Sequence, residues 1–129
     1  MKFILASKSP RRSEILKNAG FKFTIIPSSV DENIISTNLE PEDYCIRLAK
    51  LKSKDIAEKH TDFTVIGSDT IVVINNEILN KPKNFHDAKK MLTMLSGKTH
   101  KVLTGVSIIN INKNVNVNFY DSTKVTFYK

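Results

Sequence analysis

Residues 63–74, FTVIGSDTIVVI, constrain the fold more than any other stretch: the chain's most hydrophobic segment carries an acid, Asp69, near its centre. Val and Ile at that density predict a buried strand. Asp is depleted in strands, and burying a carboxylate without partners costs several kcal/mol. Asp69 therefore needs a metal, a base or a catalytic role to justify its position. The competing reading ends the strand at Gly67 and leaves Asp69 in an exposed turn. Gly67 would let a ligand or another stretch of backbone approach closely.

Around this segment the pattern alternates. An apolar run over residues 2–6 stops at Ser7-Lys8-Ser9-Pro10, which predicts a strand ending at a loop. Ser9 is a natural N-cap, Pro10 suits the first helical position, and Gly20 suits the C-terminal stop. Ile15, Leu16 and Ala19 give that helix an apolar face, and residues 21–26 read as a second strand. Residues 28–40 read as a loop. A longer helix opens at Glu40-Pro41-Glu42-Asp43, its acids placed at the positive end of the macrodipole. Tyr44, Cys45, Leu48, Ala49 and Ile56 fall on one side of it and Arg47, Lys50 and Lys54 on the other, while Lys52 breaks the pattern. Asn75-Asn76 suits a type I' turn into residues 77–79. Residues 86–96 predict a helix faced by Ala88, Met91, Leu92 and Leu95, with Gly97 past its end; residues 99–111 and 115–128 are β-like. Strands alternating with helices predict an α/β fold, a mixed twisted sheet flanked by helices.

With 40% hydrophobic and 26% charged residues, the 129-residue chain is too well mixed to be a disordered tail, and residues 1–129 are expected to form a single domain. The lone Cys45 excludes an intramolecular disulfide framework and a Cys-rich zinc module. No window reaches the roughly 18 apolar residues of a membrane span, and no signal-peptide pattern follows Met1, so a soluble, cytoplasmic protein is expected. The net charge is +7, and the excess is uneven: residues 63–129 hold 9 bases against 4 acids. Such a balance suits a polyanionic ligand, either nucleic acid or a nucleotide phosphate tail, or else a merely solvated basic surface.

Several constellations could carry chemistry. Ser7-Lys8-Ser9-Pro10-Arg11-Arg12 lies where a strand meets a helix N-terminus, an anion-binding position to which two guanidiniums and two hydroxyls add donors. Lys52 either snorkels or points its ammonium into a site lined by anions. Lys81-Pro82 holds a cation on a restricted backbone, and the Asp31-Glu32 pair offers oxygen ligands for Mg²⁺. Gly97-Lys98-Thr99 fails as a P-loop, because the glycine needed five residues earlier would be Leu92. His60, His86 and His100 lack metal-ligand spacing. No Ser, Cys and His arrangement argues for a nucleophile, so hydrolysis through an activated water is the better class.

Taken in order, Leu5-Ala6-Ser7-Lys8-Ser9-Pro10-Arg11-Arg12, Val30-Asp31-Glu32, Arg47-Leu48-Ala49 with Lys52, Gly67-Ser68-Asp69-Thr70-Ile71-Val72, Lys81-Pro82, Leu95-Ser96-Gly97-Lys98-Thr99-His100 and Leu103-Thr104-Gly105-Val106 resemble the Maf family of nucleoside triphosphate pyrophosphatases. The resemblance implies a fold related to the inosine triphosphate pyrophosphatases, with a nucleotide held between two lobes. It also implies hydrolysis of a nucleoside triphosphate to the monophosphate and pyrophosphate. Asp69 matches the family's proton acceptor. Ser7, Ser9, Arg11, Arg12, Lys52 and Lys81 would then neutralise the phosphate chain, and Glu32, with Asp69, would hold Mg²⁺ or Mn²⁺. Arg11 and Thr70 match the subgroup acting on dTTP and UTP.

Family members run on for roughly half this length again, so the resemblance implies an incomplete second lobe and a C-terminally truncated chain. A homodimer or a complementing C-terminal fragment would be the partner such a chain needs. Two other readings stand beside the enzyme. One is a nucleotide-binding remnant without turnover. The other is a basic nucleic-acid-binding module, against which the lack of an interleaved aromatic platform argues.

Overall fold

The computed structural model describes residues 2–7, 9–30, 38–79 and 84–126, so the expectations for Asp31-Glu32 and Lys81-Pro82 fall outside the described residues. The elements are β1 (Phe3–Leu5), α1 (Pro10–Asn18), β2 (Phe23–Ile25), α2 (Pro41–Ala57), β3 (Thr64–Ile74), β4 (Glu77–Leu79), α3 (Phe85–Leu95), β5 (Thr99–Asn110) and β6 (Val115–Thr126). They build an α/β fold around one mixed sheet ordered β2-β1-β3-β5-β6, with β4 paired to β3. β1 is parallel to both β2 and β3, whereas β5 runs antiparallel to both β3 and β6. Asn75 and Asn76 have φ of 51° and 64°, the left-handed pair that a type I' turn demands between β3 and β4.

The strand does not break at Gly67-Ser68-Asp69-Thr70. These four residues pair in unbroken register with Ser107, Val106, Gly105 and Thr104 of β5, and the exposed-turn reading of Asp69 is excluded. Gly67 serves the second of its two expected purposes, the close approach of another stretch of backbone. A Cβ there would lie 2.4 Å from the Ala49 carbonyl oxygen, and one on Gly105 would lie 2.4 Å from that of Cys45. The two glycines form a flat seat on neighbouring strands, onto which the α2 backbone is lowered.

The core surrounds that seat. Tyr44, Cys45 and Leu48 pack with Ile71, Val73 and Leu103, and at the other end of α2, Ile56 and Ala57 pack with Ile4, Ala6, Val65 and Ile109. Between the two groups, buried Ser53 Oγ donates to Ser107 Oγ at 2.8 Å. The long helix thus buries the side its periodicity marked. The apolar faces expected of the shorter helices are not buried in the same way. No residue of α1 is buried and Ile15 is 60% exposed; in α3 only Leu95 is buried, and Leu92 is 61% exposed. Helical spacing sets which side chains share a face, but burial needs an opposing layer, and α2 alone is applied closely to the sheet among the described residues. No described helix is long and apolar enough to cross a membrane.

Candidate active site

The β1–α1–β2 and β2–α2–β3 connections run in opposite directions across the sheet. Right-handed crossovers then place α1 and α2 on opposite faces, so the helices part where β1 adjoins β3. In open α/β sheets, ligands bind beyond the carboxyl ends of strands at such a switch point. Here β1 stops pairing at Leu5↔Ile66, and β4 takes up that edge of β3 only at Val72. The edge between them faces the β1–α1 turn.

That turn is held by its own hydroxyls. Ser7 Oγ accepts from the Ser9 N–H at 3.1 Å, and Ser9, the N-cap of α1, accepts from the Arg12 N–H at 3.4 Å. Ile66 O accepts from the Ala6 N–H, and two residues further along, Ser68 O points to the same side, where a guanidinium replaces the missing strand. Arg12 Nη1 donates to Ser68 O at 2.9 Å and Nη2 donates to Thr70 Oγ1 at 2.6 Å. Burial pulls the Arg12 pKa below its ordinary value, and the charge of Asp69 pushes it back. Arg11 is exposed and makes no hydrogen bond or ion pair among the described residues. Adjacent helical residues point about 100° apart, so the two guanidiniums do not share one ligand-facing position.

On the α2 face, the two anomalies of the sequence meet. Lys52 Nζ lies 2.9 Å from Asp69 Oδ1, with the side chains 14% and 3% exposed. Lys52 interrupts the apolar side of α2 because its ammonium supplies the counter-charge that a buried carboxylate needs. Strand alternation sends Asp69 toward α2 and Thr70 toward the opposite face, so Lys52–Asp69 and Arg12–Thr70 flank the same short length of β3. Only one oxygen of Asp69 is taken by Lys52.

Beneath Asp69, Cys45 Sγ donates to the carbonyls of Asp69 (3.3 Å) and Leu103 (3.5 Å). Burial first, and then the Asp69 charge, push the Cys45 thiol up to about 12 from its ordinary value of 9.0. A raised acid pKa means that the folded state holds this proton more tightly. The resulting stability is complete below about pH 9 and is lost as pH rises toward about 12. At pH 8, iodoacetamide is expected to leave Cys45 unmodified in the native chain and to label it fully in urea. Rapid native labelling would show that the α2–β3 contact opens readily.

Ser7, Ser9, Arg12, Lys52, Asp69 and Thr70 therefore gather around the carboxyl end of β1. Glu32 and Lys81 lie outside the described residues, and among those described no group of three metal-ligating side chains occurs. The sequence reading gave no role to Thr104, whose Oγ1 lies 3.2 Å from that of Thr70. The signal was the Leu103-Thr104-Gly105-Val106 block, but the β3–β5 register that brings it to Thr70 is not written in local pattern.

A switch-point site of this kind, on this strand order, places the chain among the α/β domains built like the nucleoside-triphosphatase / dITP/XTP pyrophosphatase of Mycobacterium abscessus. That likeness has a TM-score of 0.60 at 15% identity and covers 98% of this chain and 72% of the other. The Ham1 protein of Staphylococcus aureus gives a TM-score of 0.63 at 16% identity, over 96% of this chain and 70% of its own. Within that fold the assignment is narrower. The model of the Maf-like protein family matches residues 2–129, and the chain belongs to that family. It is 49% identical over 128 residues to the dTTP/UTP pyrophosphatases of Bacillus thuringiensis subsp. konkukian (strain 97-27) and of Bacillus anthracis. These alignments cover 99% of this chain and 65% of each relative.

Proposed function

We propose that this chain binds a nucleoside triphosphate, with dTTP and UTP preferred, and hydrolyses it to the nucleoside monophosphate and pyrophosphate. The observation that carries this reading is the ion pair between buried Asp69 of β3 and part-buried Lys52 of α2, beside Arg12 at the N-terminus of α1. Arg12, the amide-rich start of α1 and the hydroxyls of Ser7 and Ser9 offer donors to the phosphate chain. Arg11, exposed at the start of α1, reaches outward for the nucleotide, and Lys81 would add a further charge. Asp69 takes a proton from water as its oxygen attacks the α-phosphorus. The bond to the bridging oxygen breaks, and pyrophosphate leaves with the electron pair.

The donor set suits a divalent cation. Mg²⁺ characteristically uses one or two carboxylates together with substrate phosphates, and Asp69 with Glu32 would hold it. When bound, such a cation neutralises phosphate charge and orients the chain. A cytoplasmic setting, where nucleoside triphosphates are abundant, goes with this reading.

Pyrophosphate release from dTTP, UTP, CTP and 7-methyl-GTP tests the reading. We expect release from dTTP and UTP at rates at least about tenfold above the other two, the discrimination a pocket gains from roughly 1.4 kcal/mol. Binding of dTTP without release would favour the nucleotide-binding alternative. Binding of oligonucleotides that free nucleotides do not displace would overturn both.

A further inference from the structure

We propose that Thr104 is a positioning residue for Arg12, acting through Thr70, and that this relay serves the phosphate chain and not the base. The inference rests on the nucleotide reading above and concerns a residue to which that reading assigns no role.

Thr70 and Thr104 are direct partners in the β3–β5 ladder, with hydroxyl oxygens 3.2 Å apart. A threonine hydroxyl has one proton and two lone pairs, whereas a guanidinium can only donate. Arg12 Nη2 at 2.6 Å occupies one lone pair of Thr70 Oγ1, so the proton of Thr70 must point elsewhere. Thr104 Oγ1 stands in position to accept it, or to donate its own proton to the second lone pair. In the order Arg12 to Thr70 to Thr104, each donor meets an acceptor, and successive hydrogen bonds in one direction polarise one another.

The consequence is positional. Nη1 is held by Ser68 O and Nη2 by the Thr70 hydroxyl, the two residues that flank Asp69 in the chain. Arg12 is thereby fixed to the same strand segment that carries the carboxylate. A guanidinium has five N–H donors, and these two contacts leave others for an oxyanion beside Asp69. Without Thr104, the Thr70 side chain has lost the neighbour that selects the rotamer facing Arg12, and one of the two anchors loosens. Because Thr70 is engaged by Arg12, its influence on ligands passes through phosphate recognition.

The test uses Thr104→Val, which keeps the β-branched shape and removes the hydroxyl, and Thr104→Ser, which restores it. Calorimetric affinities for dTTP and for inorganic tripolyphosphate are measured alongside ¹⁵N NMR of the Arg12 guanidinium, assigned with Arg12→Ala. We expect Thr104→Val to weaken both ligands by the same factor, about three- to tenfold, and to collapse the separate Nη signals of Arg12 into an averaged one. Thr104→Ser should return affinity to within about twofold and restore the separate signals. Unchanged affinities and signals in Thr104→Val would overturn the proposal. So would a loss for dTTP with none for tripolyphosphate, which would mark base recognition, or failure of Ser to rescue, which would mark a packing role. If the unsubstituted chain binds neither ligand, the nucleotide reading fails, and with it the phosphate role of the relay; the Arg12 signals then still decide whether Thr104 holds the guanidinium.

Discussion

Replacing Asp69 with Asn is expected to remove pyrophosphate release while leaving dTTP binding, measured without divalent cation, intact or tighter. Asn is nearly the same size and keeps an oxygen toward Lys52 Nζ, which lies 2.9 Å from the carboxylate. It cannot accept the proton of an attacking water, and loss of a positioned general base costs turnover roughly 10²- to 10⁴-fold. The substitution also removes a negative charge from the place where the phosphates would sit, so Kd measured without divalent cation, where Asp69 holds no metal, should not rise. Rate and affinity therefore separate, as they would not if the variant had merely unfolded. Lys52→Met should behave in the opposite sense on binding, because it removes a cation and leaves the Asp69 carboxylate buried without its ammonium. Asp69→Asn releasing pyrophosphate at the unsubstituted rate would remove that residue from its assigned role.

The contrast between Asp69 and Thr104 shows what local sequence can and cannot reveal. Asp69 was legible because it violates the pattern of its own segment, a charge in a run of Val and Ile, and Lys52 because it violates the apolar stripe of its helix. Each anomaly predicts a partner, and the fold supplies each to the other. The same logic found the N-cap at Ser9 and the left-handed turn at Asn75-Asn76, where the chemistry is set by neighbours within a few residues. Thr104 violates nothing: a threonine in a strand is ordinary. Its position opposite Thr70, 34 residues earlier in the sequence, depends on the β3–β5 register. The exposed apolar side chains of α1 and α3 show the converse limit, since periodicity names a face and says nothing of what lies against it.

Replacing Gly105 with Ala is expected to lower stability by about 2–4 kcal/mol, the cost of forcing atoms into a closed contact, and the melting temperature by about 10 °C. The added Cβ would lie 2.4 Å from the Cys45 carbonyl oxygen and 2.7 Å from its carbon. These are backbone atoms of α2, so no rotamer change relieves the clash and the helix itself must lift. Gly67→Ala meets the same obstacle at Ala49 O, with Ser53 N a further 2.8 Å contact. Gly20→Ala is the control: its Cβ meets nothing within 4 Å, but φ is +86°, so the cost is local backbone strain of about 1–2 kcal/mol. The distinction reaches the active site, because α2 carries Lys52. Lifting α2 lengthens the Lys52–Asp69 contact and exposes Cys45, so Gly105→Ala should lose dTTP affinity and gain thiol reactivity at temperatures well below its melting point. Gly20→Ala should lose stability alone. A Gly105→Ala chain that melts within about 2 °C of the unsubstituted one and keeps its thiol protected would show that the close seating of α2 on β3 and β5 is not what positions the ion pair.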